Sequence, residues 1–253
     1  MHRIRTSLAS LVWVAILGAL LVVPAFAASR YDPAIQARVT QELARKQQFR
    51  NLQAATEDGI VTLTGSVDLY QQKLDAAKTI KKLKDVQGVR NLIEVAGKDL
   101  PDTTLAAQLG RKIYFDRVGY YDNAFNFIDV AVKDGVVTLQ GATRDDVGRN
   151  SALALVNRTP GVKDVINDVK VLPVSGFDDQ IRLRTLRAIY HDPVLSRYAI
   201  DPARPIRIIV ENGHVTLYGV VDNTMDKQVA GIRANGVLGA FSVQNNLEVV
   251  KQS

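Results

Sequence analysis

The chain of 253 residues has no cysteine, which rules out disulfides, thiolate metal sites and cysteine nucleophiles. Histidine is scarce. Of three, only His191 and His214 lie beyond the first thirty residues. They sit far apart, belong to no serine-histidine-acid set and show no metal-ligand spacing. No phosphate loop, nucleophile elbow or dinucleotide fingerprint is present. Asp145 and Asp146 are adjacent carboxylates, but their place is at the start of a helix. No dense Lys/Arg tract interleaved with aromatics occurs, so a nucleic-acid footprint is missing. The densest basic run, Lys81, Lys82 and Lys84, reads as a solvated helix face. These absences point away from an enzyme, a cofactor, a metal site and nucleic acid.

Long apolar runs are confined to the start. His2, Arg3 and Arg5 precede an uncharged stretch from Leu8 to Val23, broken by Pro24 and followed by Ala25-Phe26-Ala27. This is the grammar of a signal peptide over 1–27, cleaved after Ala27, with a periplasmic mature protein as the expectation. An uncleaved anchor is the alternative, since the run is near the lower limit for spanning. A lipoprotein is excluded for want of a cysteine. The formal charge is +6, and loss of Arg3 and Arg5 leaves 30 bases against 26 acids, a mild +4. That balance favours anionic surfaces weakly.

What the remainder contains is repetition. "GIVTLTGSV" at Gly59 returns as "GVVTLQGAT" at Gly135 and "GHVTLYGVV" at Gly213, at intervals of 76 and 78 residues. The second glycines, Gly65, Gly141 and Gly219, keep those intervals, and each lies 26 residues before Asn91, Asn167 or Asn245. Repetition at fixed spacing means a module used three times.

Each copy has a physical reading. Leu52, Ala54 and Thr56 alternate before the first glycine, as do Ile128, Val130 and Val132, and Ile206, Ile208 and Val210. Period two marks a strand with one face buried. "EDG", "KDG" and "ENG" form hairpin turns requiring positive φ. The returning strand turns Val61 and Leu63, Val137 and Leu139, or Val215 and Leu217 to the core. A helix follows, with Asp68, Thr143 and Asp222 as candidate caps and a stripe such as Ala76, Ile80 and Leu83. A third strand closes the unit at Val89, Val165 or Val243. Further amphipathic helices precede the units at roughly 33–48, 103–117 and 177–191. The fold class is α+β: three tandem α-β-β-α-β domains over 29–99, 100–173 and 174–253. Each is a mixed three-stranded sheet, its crossover parallel, with two helices on one face. The linkers "AGKDLPD" and "LPVSG" are short enough that neighbours should touch.

The "G-x-V-T-L-x-G" hairpins at Gly59, Gly135 and Gly213, with the "V-x-N-x-h-x-V" endings at Val89, Val165 and Val243, resemble the BON domain family. The resemblance covers nearly all of the chain after the leader. Two departures stand out: Asp85 replaces the glycine found at Gly161 and Gly239, and the third copy has a longer loop with Pro193, Pro202 and Pro205. The resemblance implies non-enzymatic attachment to phospholipid or envelope surfaces, linked to osmotic or envelope stress. It also implies two alternatives, a chaperone for outer-membrane proteins and a potassium-binding sensor. Partners are then a phospholipid surface or envelope proteins, with weak self-association besides.

Candidate site residues follow. Gly59, Gly65, Gly135, Gly141, Gly213 and Gly219 are assigned to turn geometry. The three asparagines are read as bonding local backbone. Lys73, Arg149 and Lys227 share one column, eight residues after each second glycine. A cation early in a helix gains nothing from the macrodipole. It calls for an acidic neighbour, an anionic headgroup, or a snorkelling position over the apolar stripe. Aromatics crowd from Tyr114 to Phe127; Phe125 and Phe127 are in step with the strand, while Tyr120 and Tyr121 on the loop suit a membrane interface.

Overall fold

The computed structural model describes residues 32–115, 123–200 and 205–250. Residues 1–31, on which the signal-peptide reading falls, and Tyr120, Tyr121 and Pro202 lie outside them. Within these bounds the chain builds one α-β-β-α-β unit three times. The first unit comprises α1 (Asp32–Ala44), β1 (Leu52–Glu57), β2 (Ile60–Val67), α2 (Tyr70–Lys81), and a third strand in two pieces, β3 (Gly88–Asn91) and β4 (Glu94–Val95). The second has α3 (Asp102–Phe115), β5 (Phe127–Lys133), β6 (Val136–Thr143), α4 (Asp146–Asn157) and β7 (Asp164–Val171). The third has α5 (Gly176–Tyr190), β8 (Arg207–Glu211), β9 (His214–Val221), α6 (Thr224–Asn235) and β10 (Ser242–Val249).

Every sheet is mixed. The hairpin pairs antiparallel, and the crossover strand adds parallel to the central strand. Both helices of a unit cover the same face. In the first unit, Ile35, Val39 and Leu43 of α1 and Ala76 and Ile80 of α2 meet Val61, Leu63 and Val67 of β2 in one core. The first unit's third strand opens at Leu92–Ile93. The ladder still runs through, because Leu92 N–H donates to Leu63 O at 2.9 Å and Ala96 N–H to Val67 O at 2.9 Å.

The hairpins turn on two residues, both at positive φ: Asp58 and Gly59 (51° and 76°), Asp134 and Gly135 (54° and 78°), Asn212 and Gly213 (52° and 79°). That is the turn whose twist matches paired strands, and glycine carries its second position without strain. The second glycines are also at positive φ. A Cβ at Gly141 would lie 2.2 Å from Phe127 O, so only glycine lets β5 approach there.

One recurring interaction joins first helix to hairpin. The Asp32 carboxylate accepts from the N–H groups of Asp58 and Gly59, both at 2.9 Å. Asp102 accepts from Asp134 and Gly135 at 2.7 and 3.0 Å, and Asp178 from Asn212 and Gly213 at 2.9 and 2.8 Å. Each aspartate sits in the first turn of its helix or, at Asp32 and Asp102, begins it. The helix start thereby fixes the hairpin tip. The glycine carbonyl is used as well, accepting from Gln87, Lys163 or Phe241 N–H at 2.9, 2.9 and 2.8 Å, just before or at the crossover strand's start.

Several local details differ from the sequence reading. Asp68, Thr143 and Asp222 do not cap the second helices, because the preceding strands run further than the glycine signals. Instead Gln72 Oε1 accepts from Asp68 and Leu69 N–H, Asp145 from Gly148 N–H, and Asn223 from Asp226 N–H. Helix α1 ends at Ala44 rather than near 48, since a 3-10 turn at Gln47–Phe49 folds Phe49 into the core. Asp85 keeps the backbone of its glycine counterparts, at φ 69° beside 96° and 97°, and Arg38 Nη2 holds its carboxylate at 3.1 Å.

The units interlock. Tyr70, first residue of α2, is packed into the second unit's core beside Leu105, Leu109 and Ile113. Phe125, from the second unit, is packed into the third unit's core. Replacing Asp178 by Ala leaves two turn N–H groups without a carboxylate, one of them buried; the expected loss is about 1–3 kcal/mol, read by urea denaturation, with the hairpin amides shifting most in the NMR spectrum.

Candidate functional site

Lys73, Arg149 and Lys227 each fall on the fourth residue of their helix, so the column holds in space as a position within the unit. Their surroundings differ. Arg149 Nη2 is paired with Asp146 at 2.6 Å, the acidic neighbour that its place in the helix calls for. Lys73 and Lys227 are half-buried and have no ion pair among the described residues. The asparagines tie this helix to the third strand. Asn91 Nδ2 donates to Lys73 O at 3.0 Å and Asn245 Nδ2 to Lys227 O at 2.7 Å. Each asparagine Oδ1, Asn167 included, accepts the N–H two residues on at 3.3 Å.

The second and third units meet in a seam of rings and charges. Phe127 stacks on Tyr218 with centroids 4.0 Å apart and planes 4° from parallel. The Arg207 guanidinium lies 3.8 Å from the centre of the Tyr114 ring. Lys170 pairs with Glu211 at 2.5 Å, and Arg144 with Asp179 at 3.2 Å. Asp179 also takes Arg182 at 2.6 Å, whose other amino group donates to Val210 O at 2.6 Å. Burial works against the Asp179 carboxylate, but Arg182 and Arg144 outweigh it and hold its pKa below the ordinary aspartate value. Burial raises the Tyr114 hydroxyl pKa, while that hydroxyl donates to Ile128 O at 2.7 Å. At the other seam, burial followed by the Asp164 carboxylate pushes Tyr70 up to about 12.

The turn end of the third unit is unlike the others. Leu238 is 80% exposed, Phe241 69% and Phe177 47%, and the two rings lie 5.7 Å apart. Arg184 is beside them, its Nη1 donating to Leu238 O at 2.9 Å. Phe241 donates its N–H to the turn glycine carbonyl, a place held by Gln87 and Lys163 in the other units. The signal was available in sequence: each of these residues stands two before Val89, Val165 or Val243. Sequence reasoning placed the interface at Tyr120 and Tyr121, which lie outside the described residues. Of their neighbours, Phe125 is core, Tyr114 is engaged by Arg207, and Phe115 is exposed.

His214 Nδ1 lies 2.8 Å from Ser242 Oγ on the surface, and His191 caps the C-terminus of α5. Among the described residues no three His, Cys, Asp or Glu side chains gather as metal ligands, and no helix is long and apolar enough to cross a membrane.

Comparison with known proteins adds the following. The family model described as BON domain matches residues 31–97, 101–173 and 193–251; the third match begins after α5. The chain is 28% identical over 147 residues to an uncharacterized protein in the gshII 5'region of Anaplasma centrale, covering 55% of this chain and 94% of that one. It is 26% identical over 148 residues to osmotically-inducible protein Y of Escherichia coli K12, covering 55% and 72%. Among solved structures it is similar to CdsD, a structural protein of the type III secretion system of Chlamydia trachomatis. That likeness covers 85% of this chain and 91% of CdsD at 12% identity and a TM-score of 0.25. The periplasmic domain of PrgH is matched over 80% of this chain and 96% of its own, at 13% identity and a TM-score of 0.21.

The Asp179 carboxylate gives the second seam a defined acid response. Its lowered pKa means that the folded state binds the proton less readily than the unfolded state. Its contribution is therefore complete above the ordinary value near 4 and is lost as pH falls through the lowered value. Thermal melts of wild type and Asp179→Asn should differ by a constant amount between about pH 7 and 5, and the difference should shrink on further acidification.

Proposed function

We propose that this chain, which belongs to the BON domain family, is a non-enzymatic attachment protein of the bacterial envelope that rests on anionic phospholipid surfaces. The observation that carries this reading is the turn end of the third unit. Leu238, Phe241 and Phe177 stand out from the surface together, with the Arg184 guanidinium alongside. A cluster of large exposed apolar side chains on a monomer marks an interaction site. Aromatic and aliphatic side chains next to an arginine suit the boundary between headgroups and acyl chains. The same end carries Lys163 and Gln87 in the other two units, so one pole inserts while the others stay wet. The mature charge of +4 adds a weak, non-directional attraction to an anionic bilayer.

The leader-like start supports a periplasmic setting. Likeness to osmotically-inducible protein Y supports a stress-related one. Lys73 and Lys227 are secondary headgroup contacts in this reading; Arg149, already paired with Asp146, contributes less.

Vesicle co-sedimentation tests it. The mature protein should pellet with vesicles containing phosphatidylglycerol at low salt, less with pure phosphatidylcholine, and less at 0.5 M salt. Phe241→Asp combined with Leu238→Asp should reduce partitioning by more than tenfold, since each buried side chain is worth about 2 kcal/mol. No pelleting of the wild type at low salt, or full retention by the double variant, contradicts the proposal.

A further inference from the structure

The three copies protect the edge of their sheets differently. The side chain four residues after the clamping aspartate reaches the outer strand of the hairpin. In the first unit it is Gln36, whose Nε2 donates to Ala54 O at 2.8 Å while its Oε1 accepts from Thr56 Oγ1 at 2.8 Å. In the third it is Arg182, only 2% exposed, donating to Val210 O at 2.6 Å. In the second unit the same place holds Ala106, which has nothing to donate.

The consequence falls on β5. Tyr114 Oη donates to Ile128 O at 2.7 Å and accepts from Ile128 N–H at 2.9 Å, so the backbone of Ile128 points away from β6. Alternation along a strand turns the N–H and C=O of Val130 and Val132 the same way. Among the described residues β5 pairs only with β6, and no side chain bonds those four groups. Beside this edge runs a groove of about 650 Å³ lined by Ala106, Gly110, Arg111, Ile128, Val130 and Arg207. Gly110 adds to the space, since a Cβ there would meet nothing within 4 Å.

We propose that β5 binds an extended acidic peptide segment of a partner protein, which adds to the sheet as a further strand. An unpaired strand edge offers donors and acceptors at the repeat of a peptide backbone, which identifies the ligand class. Arg111, exposed at the groove's rim, sets its charge; Arg207 is only 3% exposed and is already engaged over the Tyr114 ring, so it lines the groove without being offered to a ligand. The carboxylate that also lines the groove, Asp129, already accepts from Gln140 at 3.1 Å. The small Ala106 and Gly110 leave room for side chains directed toward α3. A second copy of this chain is a poorer occupant, because twofold pairing of two β5 edges brings both Arg111 side chains to one seam. The site is separate from the third unit's apolar pole and does not rest on the membrane reading.

The test uses the full mature chain, isotope-labelled, with an acetylated and amidated pentapeptide Val-Thr-Asp-Thr-Val. The Val130 and Val132 amides should shift on titration and exchange more slowly with solvent. Substituting Lys for Asp in the peptide, or methylating alternate peptide nitrogens, should weaken binding at least tenfold. Ala106→Gln, which restores the side chain seen at Gln36, should weaken it to a similar extent. Arg111→Glu should reverse the preference between the Asp and Lys peptides. Ala106→Gln should leave vesicle sedimentation unchanged, so failure here is distinguishable from failure of surface attachment. Unmoved Val130 and Val132 amides at millimolar peptide overturn the proposal. So does equal binding of the methylated peptide, or undiminished binding by folded Ala106→Gln protein.

Discussion

A carboxylate at the start of one helix, bonded to two N–H groups of a hairpin turn, is the interaction on which each unit depends. The turn has both central residues at positive φ, which directs its amides outward together. Left alone, the first would turn to water, because its residue is exposed, but the one on glycine is buried in all three copies and would be an unsatisfied donor. Asp32, Asp102 and Asp178 satisfy them and at the same moment fix where the helix begins over the sheet. The glycine carbonyl then receives the amide that leads into the crossover strand. One small turn thus orients first helix, hairpin and closing strand, and the apolar stripes fill the space so defined.

With the units fixed, variation is free to accumulate around them. Tyr70 and Phe125 are each surrendered to a neighbour's core, which converts short linkers into packed seams. The second seam adds stacked rings and a chain of charges from Arg144 through Asp179 and Arg182 to a backbone carbonyl. The proposed contacts occur where one copy departs from the others. The apolar pole arises because Phe241 replaces Lys163 or Gln87, and the open edge because Ala106 replaces Gln36 or Arg182. A repeated fold provides the scaffold; single substitutions give each copy its own surface.

Much of this is legible in the sequence. Fixed glycine and asparagine spacing revealed the triplication, and alternation identified core residues such as Val61, Val137 and Val215, all at most 1% exposed. The clamping aspartates were not legible, because 27, 33 and 35 residues separate them from their glycines. A contact across a loop of variable length leaves no fixed period. Caps were misplaced for a related reason: glycine at positive φ bends the strand without ending it, so pairing continues to Thr143 and Val221. The lysine and arginine column was visible, but not that Asp146 already neutralises one member. Tyr70 read as an ordinary helix residue, since nothing in one unit's pattern says that a side chain is buried in the next.

Native-state hydrogen exchange tests the clamp most directly. If the three aspartates organise their units, the amides of Gly59, Gly135 and Gly213 should exchange only through global opening. They should then rank with the central-strand amides of Leu63, Leu139 and Leu217, although they sit at hairpin tips. Exchange at those glycines as fast as at an exposed turn, while the strands stay protected, would show that the units hold together without it.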